Sequence, residues 1–304
     1  MIPDSTFLIP KLSPGFEATV TLPGSKSIAL RQLAIAALVE GTSHITGIPK
    51  CDDTDAMIDC LRALGVAIDE DTSGTRITGP MDFGSGHVEI NCRMSGASTR
   101  LLIALAALRN GSTRIDGHES LQVRTNAPLF EVLRDNGCDV TSDAGTLPAV
   151  IHGGLTSNGP LHIDGSLSSQ YITALTVIAP ILARRQALPT QGIHIHGDLV
   201  SRPYIDITLN EMGKRSVVGK WVDDTVLSLP AADYQPGEFF IEGDASAASY
   251  FLALATLHAG TVTLTNLDDT TVQGDYLFCE VMESLGATVE RRTQTRITGP
   301  KQLL

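Results

Sequence analysis

Gly65, Gly137, Gly213 and Gly286 each follow a stretch with helical apolar spacing, and they stand 72, 76 and 73 residues apart. A period near 70 marks one supersecondary unit used four times. From Gly24 to Gly41, Gly96 to Gly111 and Gly243 to Gly260, a glycine turn leads into an Ala/Leu-rich helix pattern that ends at another glycine. Alternating strand patterns follow at 43–48, 112–117 and 261–266. Each leads to a second amphipathic helix, and the glycine after it is expected to terminate that helix in the left-handed conformation. Hairpin-like stretches then close the units, with Ile-Thr-Gly-Pro at both 77–80 and 297–300. The third copy diverges most: Pro180 is expected to break its first helix, and Gly213 to end its second. The predicted class is α/β, built from repeated β-α-β-α-β-β units.

The turns that open the helices are Pro23-Gly24-Ser25-Lys26-Ser27, Ser95-Gly96-Ala97-Ser98, Gly165-Ser166-Leu167-Ser168-Ser169-Gln170 and Gly243-Asp244-Ala245-Ser246. Such turns bare backbone N–H groups at the positive end of a helix dipole, where a phosphate or carboxylate can sit. The balance of charge, 22 basic against 34 acidic residues, repels nucleic acid and anionic membranes, and neither is expected as a partner. A small anion needs a local basic cluster instead. Lys26, one of only six lysines, lies inside the first turn with Arg31 one helical turn beyond. Arg100 stands in the same relation to the second turn, and Arg124 and Arg202 fall in polar segments.

At 304 residues the chain is long enough for about two domains. The apolar stretch from Tyr171 to Leu182 is too short to cross a bilayer, and Met1-Ile2-Pro3-Asp4 lacks the features of a signal peptide, so a cytoplasmic location is expected. The five cysteines are scattered and never paired as CxxC, which fits buried small apolar residues better than disulfides or a zinc ribbon. No cofactor or metal is expected. His194 and His196 share one strand face, but with no third ligand nearby in the sequence a packed or surface face is the preferred reading. Asp52, Asp53, Asp55 and Asp59 span a helix start, where capping and solvation account for them.

Four segments carry a resemblance: Pro23 to Ser27 with Arg31; Ser168-Ser169-Gln170; Ser201-Arg202-Pro203-Tyr204-Ile205-Asp206-Ile207-Thr208; and Gly243 to Tyr250. In this order they resemble the 5-enolpyruvylshikimate-3-phosphate synthase family, over essentially the whole chain. The resemblance implies an inverse α/β barrel fold of two domains, each of three repeats, with the active site in the cleft. It implies transfer of the enolpyruvyl group of phosphoenolpyruvate to the 5-hydroxyl of shikimate 3-phosphate, a step toward chorismate and the aromatic amino acids. By that comparison residues 23–242 form a complete three-repeat domain that binds shikimate 3-phosphate. Residues 1–22 supply the first strand, and 243–304 one repeat, of the other domain, so that four of six repeats are present and two are expected after Leu304.

Site residues follow from the same resemblance. Lys26 is the expected catalytic cation, shared between the two anionic substrates; its charge at a helix start is opposed by the dipole, which already favours a ligand role. Lys26, Ser27, Arg31, Ser168, Ser169, Gln170, Ser201, Arg202 and Tyr204 are the expected shikimate 3-phosphate ligands. Ser27 is also expected to serve as an N-cap. Read alone, Ser168 to Gln170 would be an ST-turn with a cap and Tyr204 a packing ring. Lys26, Gly96, Arg124 and Gln170 are the expected phosphoenolpyruvate ligands. The family's Asn-Ala-Gly-Thr run here reads Met94-Ser95-Gly96-Ala97, and Thr125 follows Arg124 where the family has proline. Asp244 resembles a junction aspartate that an N-cap role explains equally well.

The chain contains no family-matched carboxylate for the general acid–base step that enolpyruvyl transfer requires. Two other functions therefore stay open: a non-catalytic protein that binds shikimate phosphate, and an enolpyruvyl transferase with another acceptor such as a nucleotide. Small anionic substrates are the expected partners, together with self-association or a complementing C-terminal partner.

Overall fold

In the computed structural model, which describes residues 13, 15–157 and 159–303, all four glycine turns open helices. The readings made at Met1–Asp4 and at Leu304 lie outside the described residues. Ser95, Ser168 and Asp244 each take extended backbone and accept a hydrogen bond from an N–H of the first turn, satisfying a donor that the helix leaves unpaired. Ser25 occupies the same cap position without such a bond.

The chain begins with β1 (Glu17–Val20), α1 (Lys26–Ala36), β2 (Gly41–Thr46), α2 (Asp52–Ala63), β3 (Ala67–Asp71) and β4 (Gly74–Gly79). Next come β5 (Val88–Asn91), α3 (Gly96–Ala107), β6 (Ser112–Asp116), a short α4 (Glu119–Gln122), α5 (Ala127–Asp135), β7 (Asp139–Ser142) and β8 (Ala149–His152). β9 (Leu161–Asp164), α6 (Ser169–Arg185), β10 (Thr190–His196), α7 (Arg202–Gly213), β11 (Lys220–Trp221), β12 (Val226–Pro230) and β13 (Glu238–Phe240) follow. Last are α8 (Ala245–Leu257), β14 (Thr261–Leu264), a 3-10 turn (Gly274–Leu277), α9 (Phe278–Ser284), β15 (Thr288–Arg291) and β16 (Thr295–Thr298).

Among the described residues the strands form four sheets of four, and all share one topology. An outer strand pairs in parallel with the strand that follows the first helix, and two antiparallel strands complete the sheet. The orders are β5-β6-β8-β7, β9-β10-β12-β11, β13-β2-β4-β3 and β1-β14-β16-β15. In the last two the parallel partner comes from far along the chain: β13 pairs with β2, and β1 with β14.

Two compact units result, one of residues 24–241 and one of 1–23 with 242–304. In the larger unit α1, α3 and α6 pack on one another, and Leu33, Leu102, Leu105 and Ile178 are wholly buried. The smaller unit has its own modest core, including Leu22, Leu252, Val262, Cys279 and Ile297. Cys60, Cys92, Cys138 and Cys279 are buried and Cys51 half-buried, all as free thiols; burial pushes Cys138 up to about 12. No helix among the described residues is long and apolar enough to cross a membrane.

Two expectations about the third copy fail. Pro180 sits inside an unbroken α6, where the surrounding core holds the helix through the lost backbone bond. Gly213 is the last residue of α7, not its terminator. Gly65, Gly137 and Gly286 close their helices at φ of +88°, +91° and +97°, but in the third copy Ser216 takes that role at +65°. The hydrogen bonds make the equivalence plain, since Val66, Cys138, Val217 and Ala287, each one residue further on, all donate to the carbonyl five residues back.

Candidate active site

In the larger unit the starts of α1, α6 and α7 face one cavity of about 290 Å³. Ser27 and Arg31 from α1, Ser168, Ser169, Gln170 and Thr173 from α6, and Ser201 and Tyr204 from α7 line it. Ala97, Leu101, Leu167 and Val200 supply its apolar wall, and no carboxylate is among the lining residues. Helix N-termini, hydroxyls, an amide and a guanidinium are groups whose chemistry suits an anion with a small apolar body.

Arg31 is the best-held group there. Only 6% exposed, it donates from Nε to Thr208 Oγ1 at 2.8 Å and from Nη1 to the Ser27 carbonyl at 2.7 Å. Nη2 donates to the Tyr204 carbonyl at 2.9 Å and to Thr173 Oγ1 at 3.3 Å. Burial lowers its pKa to about 10, which leaves it cationic at neutral pH. The helix starts differ in how they present their side chains. Ser168 caps α6 by accepting from the Gln170 N–H at 3.2 Å, while Ser201 reaches its cap position with left-handed backbone, φ +56°. Ser27 lies in the first turn and does not cap α1, because Ser25 holds that place; Ser27 lines the cavity instead.

A second cluster forms around Gly96. A Cβ at that position would stand 2.9 Å from Arg100 Nη1, 3.2 Å from Arg124 Nη1 and 3.9 Å from Gln170 Oε1. A larger residue there would push the guanidinium groups aside. Gln170 thus belongs to both the cavity and this cluster. Arg100 is buried, donating to the carbonyls of Gly96 and Thr125 with its face toward the Tyr171 ring. Met94 is 57% exposed, and Ala97 contributes to the cavity wall.

Lys26 and Arg202 are not in the cavity wall. Lys26 pairs with Asp53 at 3.4 Å, and Asp53 also accepts a 2.6 Å hydrogen bond from Ser95 Oγ, the cap of α3. One carboxylate therefore ties the first glycine turn to the second. Arg202 instead lies 4.3 Å over the Trp221 ring and pairs with Asp224 at 2.9 Å, so its charge is engaged along the sheet side of α7. Arg202 thus stands beside, and not in, the wall that its neighbours Ser201 and Tyr204 line. Asp244 caps α8 through a 3.0 Å bond from the Ala247 N–H.

Sequence reasoning missed Asp53, Thr173 and Thr208. The two threonines carried a signal, standing four residues after Ser169 and Tyr204 on the same helical faces. Asp53 carried none, since its partner Ser95 is 42 residues away.

Fold and cavity together define a repeat-built α/β protein whose larger unit holds a carboxylate-free cavity at convergent helix starts. The family model for EPSP synthase (3-phosphoshikimate 1-carboxyvinyltransferase) matches residues 13–303. The 3-phosphoshikimate 1-carboxyvinyltransferase of Bordetella bronchiseptica is 40% identical over 277 residues, covering 89% of this chain and 62% of the relative. That of Sulfurovum sp. is 39% identical, covering 90% and 65%. A solved EPSP synthase from Acinetobacter baumannii has the same fold, with a TM-score of 0.76 at 21% identity, over 94% of this chain and 66% of that one. The chain belongs to the EPSP synthase family, with the inverse α/β barrel fold, and spans a little over 60% of the length of the curated relatives it matches.

Proposed function

We propose that this chain carries the shikimate 3-phosphate side of an enolpyruvyl-transfer site. The reaction moves the enolpyruvyl group of phosphoenolpyruvate to the 5-hydroxyl of shikimate 3-phosphate and releases phosphate. The observation that carries this reading is the carboxylate-free cavity at three helix starts, lined by Ser27, Arg31, Ser168, Ser169, Gln170, Ser201 and Tyr204. Ser168 and Ser169 hold the phosphate ester, and Arg31 the shikimate body. The cluster of Gly96, Arg124 and Gln170 receives phosphoenolpyruvate beside it, with Lys26 the cation that stabilises charge developing at the reacting carbon. The 5-hydroxyl adds to C2, giving up its proton, as C3 is protonated; phosphate then leaves the tetrahedral intermediate while a proton is lost from C3, which restores the double bond of the enolpyruvyl group. The proton-transfer groups are not assigned to residues of this chain.

Calorimetry with shikimate 3-phosphate and with UMP, together with a phosphate-release assay on both substrates, tests the reading. Weak binding of shikimate 3-phosphate and none of UMP is expected, because a site open to water screens its charges. Lys26→Ala is expected to abolish any turnover the chain shows. Binding of UMP in preference would favour a nucleotide acceptor, and binding without phosphate release a non-catalytic role. Absence of binding to shikimate 3-phosphate would refute the proposal.

A further inference from the structure

The outer face of the β9-β10-β12-β11 sheet carries a group of histidines that the cavity does not use. β9 and β10 run parallel, with His162 opposite His194 and Asp164 opposite His196. Alternation turns Ile163, Ile193 and Ile195 into the core and leaves the imidazoles on the opposite face. His162 Nδ1 lies 3.0 Å from His196 Nε2, and the two rings are inclined by only 4°. His194 stands edge-on to His162, the ring centroids 5.1 Å apart.

A hydrogen bond between two imidazoles uses one proton and one lone pair. Shifting the shared proton to the far ring nitrogen, through solvent, leaves two nitrogen lone pairs facing each other. Ligands about 2.0–2.1 Å from a tetrahedral zinc ion lie about 3.3 Å apart, so the pair needs to open by a few tenths of an ångström and both rings to tilt until their lone pairs meet at the metal. Among the described residues no three His, Cys, Asp or Glu side chains already form a metal-holding group, so His194 must also turn to become the third ligand. Gly192, two residues back on the same face, places no side chain in its way. Asp164, opposite His196 in the strand register, adds a carboxylate beside the group.

We propose that His162 and His196, joined by His194, form a site for a transition-metal dication of the zinc class, which imidazole ligands suit. The metal would bridge the two strands that run into the turns bearing Ser168 and Ser201, next to the bond from the Gly165 N–H to the His196 carbonyl at 2.9 Å.

Titrating zinc chloride into the whole chain by calorimetry is expected to show one saturable site. His162→Ala and His196→Ala should each weaken it at least about tenfold, no less than the loss of a supporting partner costs a metal site. His258→Ala, next to the end of α8, should leave it unchanged. No saturable binding, or an affinity in either strand variant equal to that of the unaltered chain, overturns the proposal. If either variant fails to fold, the paramagnetic resonance spectrum of Cu²⁺ on the unaltered chain decides: coupling to two or three imidazole nitrogens supports the site, and its absence refutes it.

Discussion

α3 and α8 begin alike, with a glycine turn, a capping oxygen and an Ala/Leu-rich run, yet eleven of twelve residues are buried in α3 and five of thirteen in α8. α1 and α6 resemble α3, burying nine of eleven and fourteen of seventeen. The reason is the company each keeps. α3 packs on α1, α2 and α6 within its unit, whereas within the smaller unit α8 meets α9, the 3-10 turn, β14 and β16. Tyr250 and Leu257 are left 78% and 62% exposed, and beside Tyr250 a groove is walled by Leu277, Phe278 and Val281. The difference teaches that a helix motif specifies a helix, while how completely its neighbours enclose it decides what that helix contributes to stability.

The largest expected effect separates the two helices directly. Leu102→Ala in α3 should cost about 2–5 kcal/mol by urea denaturation, as emptied core sites do, and Leu257→Ala in α8 less than about 0.5 kcal/mol. Equal costs would break the contrast. Next comes Arg31→Met, which strips donors from Thr208, Thr173 and two carbonyls in the packed unit. It is expected to cost about 1–3 kcal/mol and to remove the heat of shikimate 3-phosphate binding; binding that survives would detach the cavity from its proposed ligand. Capping should not follow the contrast at all, because it is local. Ser95→Ala and Asp244→Ala are each expected to lose about 0.5–2 kcal/mol, and a cost confined to one unit would show that the turns are not equivalent. Smallest in stability is Tyr250→Ser, within about 0.5 kcal/mol. Its informative readout is light scattering, where it should reduce self-association driven by the exposed apolar face; unchanged scattering would rule that face out as the contact.

Much of the fold was legible because its signals are local. Glycine turns, caps and alternating strands follow from backbone sterics and burial period, so the helix starts and the strands at 43–48, 112–117 and 261–266 could be read directly, give or take their ends. The failures lie where packing overrides propensity. Pro180 is carried through α6 by the core, and Ser216 takes a left-handed turn that glycine occupies in the other copies. The candidate site divides in the same way. Ser27, Ser168 and Gln170 sit in turns that announce themselves, but Asp53 acts on Ser95 and Lys26 only once the chain is folded. His162 likewise meets His196 through strand register, which no spacing along the chain encodes.

The sequence by itself determined the repeating unit, its helix starts and the glycine turns that open them, because each depends on residues a few positions apart. Only the tertiary structure decided that β13 closes the sheet of β2 while β1 closes that of β14, and that Arg31 is buried while Arg202 turns away to Trp221. Those outcomes depend on which surfaces are brought together to exclude water, and that pairing exists only in the folded chain.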